Sequence, residues 1–143
     1  MSTPKLKTFL VEDSQVIRDS LIATLEELAP VKVVGTAAGQ TEALASLLDP
    51  LKLFDLVIVD IHLQNGSGLG VLHALRHMQA TSGLARTYKV VVLSNFASRN
   101  MRRTCLELGV NRVFDKSDEI DALIQYCIRA ASDGSVSEPA VLA

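Results

Sequence analysis

The chain has 143 residues, with Lys+Arg 14 against Asp+Glu 16, a formal net charge of -2, and 48% hydrophobic residues. At roughly 100–200 residues per domain this is one domain, able to bury a full core without metal or disulfide staples. The charge balance argues against a protein that grips nucleic acid by bulk charge, and no stretch approaches the ~18 apolar residues of a membrane span.

The apolar run in MSTPKLKTFLVEDS is too short for a signal peptide, so a soluble cytoplasmic protein is expected. Leu6–Val11 is predicted as a first strand, which stops at the acidic pair Glu12 and Asp13. From Ser14 the period becomes helical, with Ile17, Leu21, Leu25 and Leu28 on one face, until Pro30 ends it. Val31–Thr36 reads as a second strand, and Ala43, Leu44, Leu47 and Leu48 form a helical stripe closed by Pro50. Leu56–Val59 is an almost continuous aliphatic run, the pattern of a strand covered on both faces, and ends at Asp60.

A loop from His62 to Gly68, rich in turn residues, leads to a third helix with Val71, Leu72, Leu75 and Met78 inward. Val90–Leu93 is predicted as a fourth strand ending at Ser94 and Asn95. Met101, Cys105 and Leu108 mark a fourth helix, stopped by Gly109. Asn111–Phe114 reads as a short fifth strand before Asp115 and Lys116. Ser117 is the expected N-cap of a final helix, with Asp118 and Glu119 in its first turn and Ile120, Leu123, Ile124, Cys127 and Ile128 inward. Residues 1–131 are expected to form the domain, and 132–143 a flexible tail with no output domain. Cys105 and Cys127 fall on apolar helix faces without a CxxC spacing, as buried reduced thiols would.

This alternation of strand and helix predicts an α/β fold, a doubly wound parallel sheet with right-handed crossovers and helices on both faces. Ligands of such sheets bind beyond the carboxyl ends of the strands. Those ends carry Glu12 and Asp13, then Asp60, Ser94 and Lys116. Three carboxylates in one cleft repel one another unless a cation neutralises them, and Mg²⁺, with its oxygen ligands and retained waters, suits a partly open cup. A carboxylate at a strand end is a nucleophile toward phosphorus, giving an aspartyl-phosphate, with Lys116 neutralising the phosphoryl oxygens and Ser94 donating to the product. Singly, each residue has a plainer reading: Asp13 as a helix cap beside Ser14, Asp60 as a turn starter, Lys116 as a solvated side chain. It is their joint placement, one set per strand end, that argues for a site.

The motifs VEDS at Glu12-Asp13, VIVDIHLQNGSG at Asp60, VVVLSN at Ser94 and FDKS at Lys116 together resemble the receiver domain of bacterial two-component response regulators, the family typified by the chemotaxis response regulator. The resemblance spans about Leu6 to Ala131. It implies a flavodoxin-like (βα)5 fold with strands in the order 2-1-3-4-5. It implies Asp60 as phospho-acceptor, and Mg²⁺ held by Glu12, Asp13, Asp60 and the backbone carbonyl of His62. Ser94 becomes the switch hydroxyl, Lys116 its ion-pair partner, and Gly68 the glycine that lets the loop turn tightly. The implied partners are a histidine kinase or histidine phosphotransfer protein, an effector protein whose identity stays open, and a second copy through the fourth helix, fifth strand and fifth helix. Direct nucleic-acid or membrane binding is not expected.

Two positions depart from the family pattern, and a third feature concerns phosphoryl lifetime. Gln64 stands where proline is usual, and Val113 where the switch aromatic is usual, with Phe114 beside it. His62 and Phe96 occupy the positions that tune phosphoryl lifetime, and bulky Phe96 is expected to restrict attacking water and lengthen it. Two rivals are kept: a small phosphohydrolase forming an aspartyl-phosphate, which would want an acid where His62 stands, and a scaffold with a vestigial acidic cup. His73 and His77 have metal-compatible spacing but no third ligand, and the Gly66–Gly70 run is GxGxG rather than a dinucleotide turn. Arg99, Arg102 and Arg103 form a basic strip on the fourth helix, either solvated or a docking surface.

Overall fold

A computed structural model describes residues 4–63, 65–82, 87–95 and 97–132. Five strands, β1 (Leu6–Val11), β2 (Val31–Ala37), β3 (Leu56–Asp60), β4 (Lys89–Ser94) and β5 (Arg112–Asp115), alternate with α1 (Gln15–Leu28), α2 (Gln40–Leu47), α3 (Gly68–Ser82), α4 (Arg99–Glu107) and α5 (Ile120–Ser132). All pairings are parallel, in the order β2-β1-β3-β4-β5, as expected.

Successive strand residues point to opposite faces, which divides the core in two. Leu6, Leu10, Ile58, Leu93 and Phe114 pack under α1 and α5, against Leu21, Leu25, Leu123 and Cys127. Phe9, Val57, Val59, Val92 and Val113 pack under α2, α3 and α4, against Ala43, Val71, Leu75 and Cys105. β3 is buried at every position, which explains its unbroken aliphatic sequence. Asp55 anchors the start of this central pairing, its carboxylate accepting the Lys7 N–H at 2.8 Å. Both cysteines are free and buried, and burial pushes the Cys127 thiol up to about 12.

Several expectations need correction. Ile17, Leu28, Leu48 and Met78 are exposed: Ile17 in the first turn of α1, Leu28 at its last residue, Leu48 just past α2 and Met78 in the second half of α3. Asn111 lies just before β5, its side chain accepting the Val90 N–H at 2.9 Å and so finishing the β4 ladder in place of backbone. Ser117 does not cap α5. Asp115 accepts both its N–H and its hydroxyl, folding 115–117 into a local turn, and the first helical bond runs from the Leu123 N–H to the Glu119 carbonyl. Ser14 does cap α1, accepting from Ile17. Among the described residues no helix is long and apolar enough to cross a membrane.

Candidate functional site

The carboxyl ends of β1, β3, β4 and β5 bring Glu12, Asp13, Asp60, Ser94 and Lys116 to one rim of the sheet. The Lys116 Nζ donates to Glu12 Oε1 at 2.7 Å and to Asp60 Oδ2 at 3.1 Å. One oxygen from each of Glu12, Asp13 and Asp60 lies within 4.8 Å of the others. Glu12 and Asp60 are buried, and Asp13 is half-buried at the mouth. With Ser14 as the cap of α1, the plainer reading of Asp13 as that cap is set aside.

The two buried acids, Glu12 and Asp60, are each held by backbone as well as by Lys116. The second Glu12 oxygen accepts the Ser14 N–H at 3.1 Å, and Arg18 donates to the Glu12 carbonyl at 2.9 Å. Asp60 Oδ1 accepts the His62 N–H at 3.1 Å. Burial raises the Glu12 carboxyl above its ordinary range, and the charge of Asp60 adds to this, although the Lys116 bond opposes it. For Lys116 burial works against the charged form, but the bonds and charges of Glu12 and Asp60 outweigh it and raise the ammonium. Lys116 thus neutralises part of the negative charge in the cup.

Ser94 is fully buried at the end of β4, and its hydroxyl donates to the Asn95 carbonyl at 3.0 Å. Its own carbonyl accepts the Lys116 N–H at 3.0 Å, so the two residues are tied through backbone. Val113 and Phe114 fall on opposite faces of the sheet. Phe114 packs edge-on to Tyr126, 5.9 Å between ring centroids, in the core under α1 and α5. Strand alternation therefore prevents Phe114 from standing in for an aromatic at position 113.

Gly68 closes the loop by close approach rather than by an unusual backbone angle. The turn residue with positive φ is Gly66, at 83°. Gly68 is the first residue of α3, and a Cβ there would strike the Asp60 carbonyl oxygen and approach the Ile61 Cα to 2.7 Å. Its missing side chain lets α3 begin directly against β3, with the Gly68 N–H donating to the Ile61 carbonyl at 2.9 Å. The Ser67 hydroxyl caps this helix, accepting the Gly70 N–H at 2.9 Å. Gln64 and Phe96 lie outside the described residues.

Several supporting residues were not anticipated. Gln40 Oε1 accepts the Ser67 N–H at 3.0 Å, tying the loop after Asp60 to α2. Arg102 leaves the expected basic strip: it turns inward and pairs with Glu119 at 2.7 Å, whereas Arg99 and Arg103 stay exposed. Only the i, i+2 relation of Asp115 to Ser117 hinted at this polar turn. His73 and His77 are both exposed, consistent with the solvated reading.

The Arg102 hydrogen bond, with the Asp115 N–H, holds the Glu119 carboxyl below its usual range, and the Ser117 hydroxyl does the same for Asp115, helped by the Ala97 and Ser117 N–H groups. A carboxyl with a lowered folded pKa contributes stability above its ordinary pKa and loses it as pH falls through the folded value. Thermal unfolding followed from about pH 6 to about pH 3 is therefore expected to fall less steeply in Glu119→Gln than in the parent.

Comparison with known proteins gives a consistent picture. A family model described as the response regulator receiver domain matches residues 8–128. A protein-glutamate methylesterase/protein-glutamine glutaminase of Clostridium acetobutylicum is 26% identical over 147 residues, covering 95% of this chain and 40% of that protein. The chain thus spans well under half the length of that relative. A Francisella response regulator receiver domain superposes with a TM-score of 0.72 at 21% identity, covering 86% of this chain and 93% of that one. A Burkholderia pseudomallei response regulator, solved with a phosphorylated aspartic acid, calcium ion and citrate, superposes with a TM-score of 0.64 at 26% identity, covering 89% of this chain and 69% of that one.

Proposed function

The chain belongs to the response regulator receiver domain family, and on that premise we propose that it is a phosphorylation-controlled switch in which Asp60 takes a phosphoryl group from a phosphohistidine on a sensor kinase or histidine phosphotransfer protein. The observation that carries this reading is the contact of one half-buried lysine with two buried acids, Lys116 with Glu12 and Asp60, at the rim where Asp13 also opens.

A divalent cation fits the donor set: three carboxylates converge, all hard oxygen donors, and one of them is half-open to solvent. Glu12, Asp13 and Asp60 would hold Mg²⁺, with the His62 carbonyl as a further ligand. The bound ion supplies charge neutralisation for the oxygens of the transferred group. The Burkholderia relative, solved with both a phosphorylated aspartic acid and a calcium ion, supports this assignment.

An Asp60 carboxylate oxygen attacks phosphorus. The new P–O bond forms as the P–N bond to the donor imidazole breaks, and the imidazole leaves with the electron pair and takes a proton from solvent. The His62 N–H, bonded to Asp60 Oδ1, fixes the orientation of the nucleophile. The Lys116 ammonium, already 3.1 Å from Asp60 Oδ2, neutralises charge on the transferred oxygens. The Ser94 hydroxyl must leave the Asn95 carbonyl to donate to the product, and this small rotation is the local event that phosphorylation drives. Output then passes to an effector protein, or to a second copy through α4, β5 and α5.

Incubation with Mg²⁺ and a small acyl-phosphate donor, read by intact mass, tests the reading. One stoichiometric, slowly decaying phosphoryl adduct is expected, lost in Asp60→Asn. Rapid multiple turnover of phosphate esters would indicate a phosphohydrolase instead, and no adduct at any magnesium concentration would indicate a scaffold.

A further inference from the structure

A second polar cluster lies behind the Ser94 and Lys116 loops, and the proposed chemistry does not use it. At its centre is Arg102 of α4. Its Nε donates to the Ala97 carbonyl at 3.2 Å, Nη1 to the Val113 carbonyl at 3.1 Å and Nη2 to Glu119 Oε1 at 2.7 Å. The same Glu119 oxygen accepts the Asp115 N–H at 2.8 Å. Asp115 Oδ2 accepts the Ala97 N–H at 3.0 Å, which closes the ring.

The chain positions give this ring its meaning. Ala97 follows Ser94 in the β4–α4 loop, and Asp115 and Glu119 flank Lys116 in the β5–α5 loop. One side chain therefore grips both loops that present the phosphoryl-facing residues, together with β5 between them. A guanidinium is a rigid planar fork, so its three acceptors are satisfied together only when the segments carrying them hold one relative position. Apolar contact between α4 and the sheet, through Met101 and Cys105, has no such directional demand. A lysine in the same place would keep the charge but could not reproduce the fork.

We propose that Arg102 is a positioning residue: it holds Ser94 and Lys116 in register with each other and carries any displacement of α4 to them. Its consequence for phosphoryl transfer rests on the receiver reading above, whereas its consequence for loop geometry does not. Because such coupling is reciprocal, whatever binds α4 and shifts it also changes the placement of Ser94 and Lys116.

Two measurements on the full chain decide the matter, using Arg102→Ala, Arg102→Lys and Glu119→Gln. In amide hydrogen exchange, the Lys116 N–H, which donates to the Ser94 carbonyl, is expected to exchange about tenfold faster or more in both Arg102 variants. The Val57 and Val59 amides of β3 should change only with global stability, which separates loop release from general weakening. With Mg²⁺ and an acyl-phosphate donor, adduct formation is expected to slow about fivefold or more in Arg102→Ala, with no rescue by lysine. Arg102→Ala combined with Glu119→Gln should be no slower than Arg102→Ala alone. Lys116 exchange within about twofold of the parent in both Arg102 variants would overturn the proposal, as would rescue by lysine. Should the parent take no phosphoryl group, the receiver reading fails, and the exchange measurement still decides the role of Arg102.

Discussion

Lys116→Met is expected to cost the cation-free protein about 3–5 kcal/mol of folding stability at neutral pH, the range for removing one partner of a buried ion pair. The ammonium pairs with both Glu12 and Asp60, whose side chains are 1% and 4% exposed. Methionine fills much of the same space, so the loss reads electrostatics rather than a cavity. With lysine gone, burial and the Asp60 charge both push the Glu12 carboxyl further up. A carboxyl whose folded pKa is raised holds its proton more firmly folded than unfolded, so stability rises as pH falls toward the ordinary glutamate range. The deficit of the variant should therefore shrink in mild acid. Magnesium should also return part of the stability, and bind the variant more tightly than the parent, because the ammonium no longer competes for the same oxygens. Urea unfolding in chelator at neutral and at mildly acidic pH, and again across a magnesium series, measures these effects. Equal stability of variant and parent in chelator would show that the pair contributes nothing net to folding.

Gly68→Ala is the second large effect. The added Cβ meets backbone, the Asp60 carbonyl and the Ile61 Cα at 2.7 Å, so the strain cannot be relieved by turning a side chain. Either α3 moves away from β3 or the Asp60 backbone shifts, and a cost of about 1–3 kcal/mol is expected from overpacking of this kind. Adduct formation at Asp60 should slow by more than the stability loss alone would predict, since the displaced atoms belong to the proposed nucleophile. Gly70→Ala is the comparison: the nearest atoms its Cβ would meet are the end of the Gln40 side chain, which can swing aside at the loss of its bond to the Ser67 N–H rather than by moving backbone. If the two variants behave alike in urea unfolding and in adduct formation, the close approach at Gly68 is not what that glycine is for.

The regular parts of the site were legible because a parallel sheet obeys a local rule. Residues just past the apolar runs of β1, β3, β4 and β5 must emerge on one rim, so the sequence alone gathers Glu12, Asp13, Asp60, Ser94 and Lys116. The helix caps were only half legible. Ser14 caps α1 as a serine before a helical stripe should, but Ser117 does not cap α5, because Asp115 two residues earlier offers its N–H and hydroxyl a nearer acceptor. Arg102 was grouped with Arg99 and Arg103 by sequence proximity, yet it alone turns inward, toward carbonyls and a carboxylate contributed by other segments.

From its residues alone, then, this chain declares the alternation of strand and helix, the buried central strand and the acidic, hydroxyl and lysine ends, since periodicity and strand termini are properties of neighbouring residues. Only the folded molecule decides that Lys116 bridges Glu12, 104 positions away, and Asp60, 56 positions away. The same holds for the Gly68 contact with the Asp60 carbonyl and for the three acceptors that converge on Arg102. Such contacts depend on crossover packing and on the relative height of neighbouring strands, and no stretch of sequence encodes either by itself.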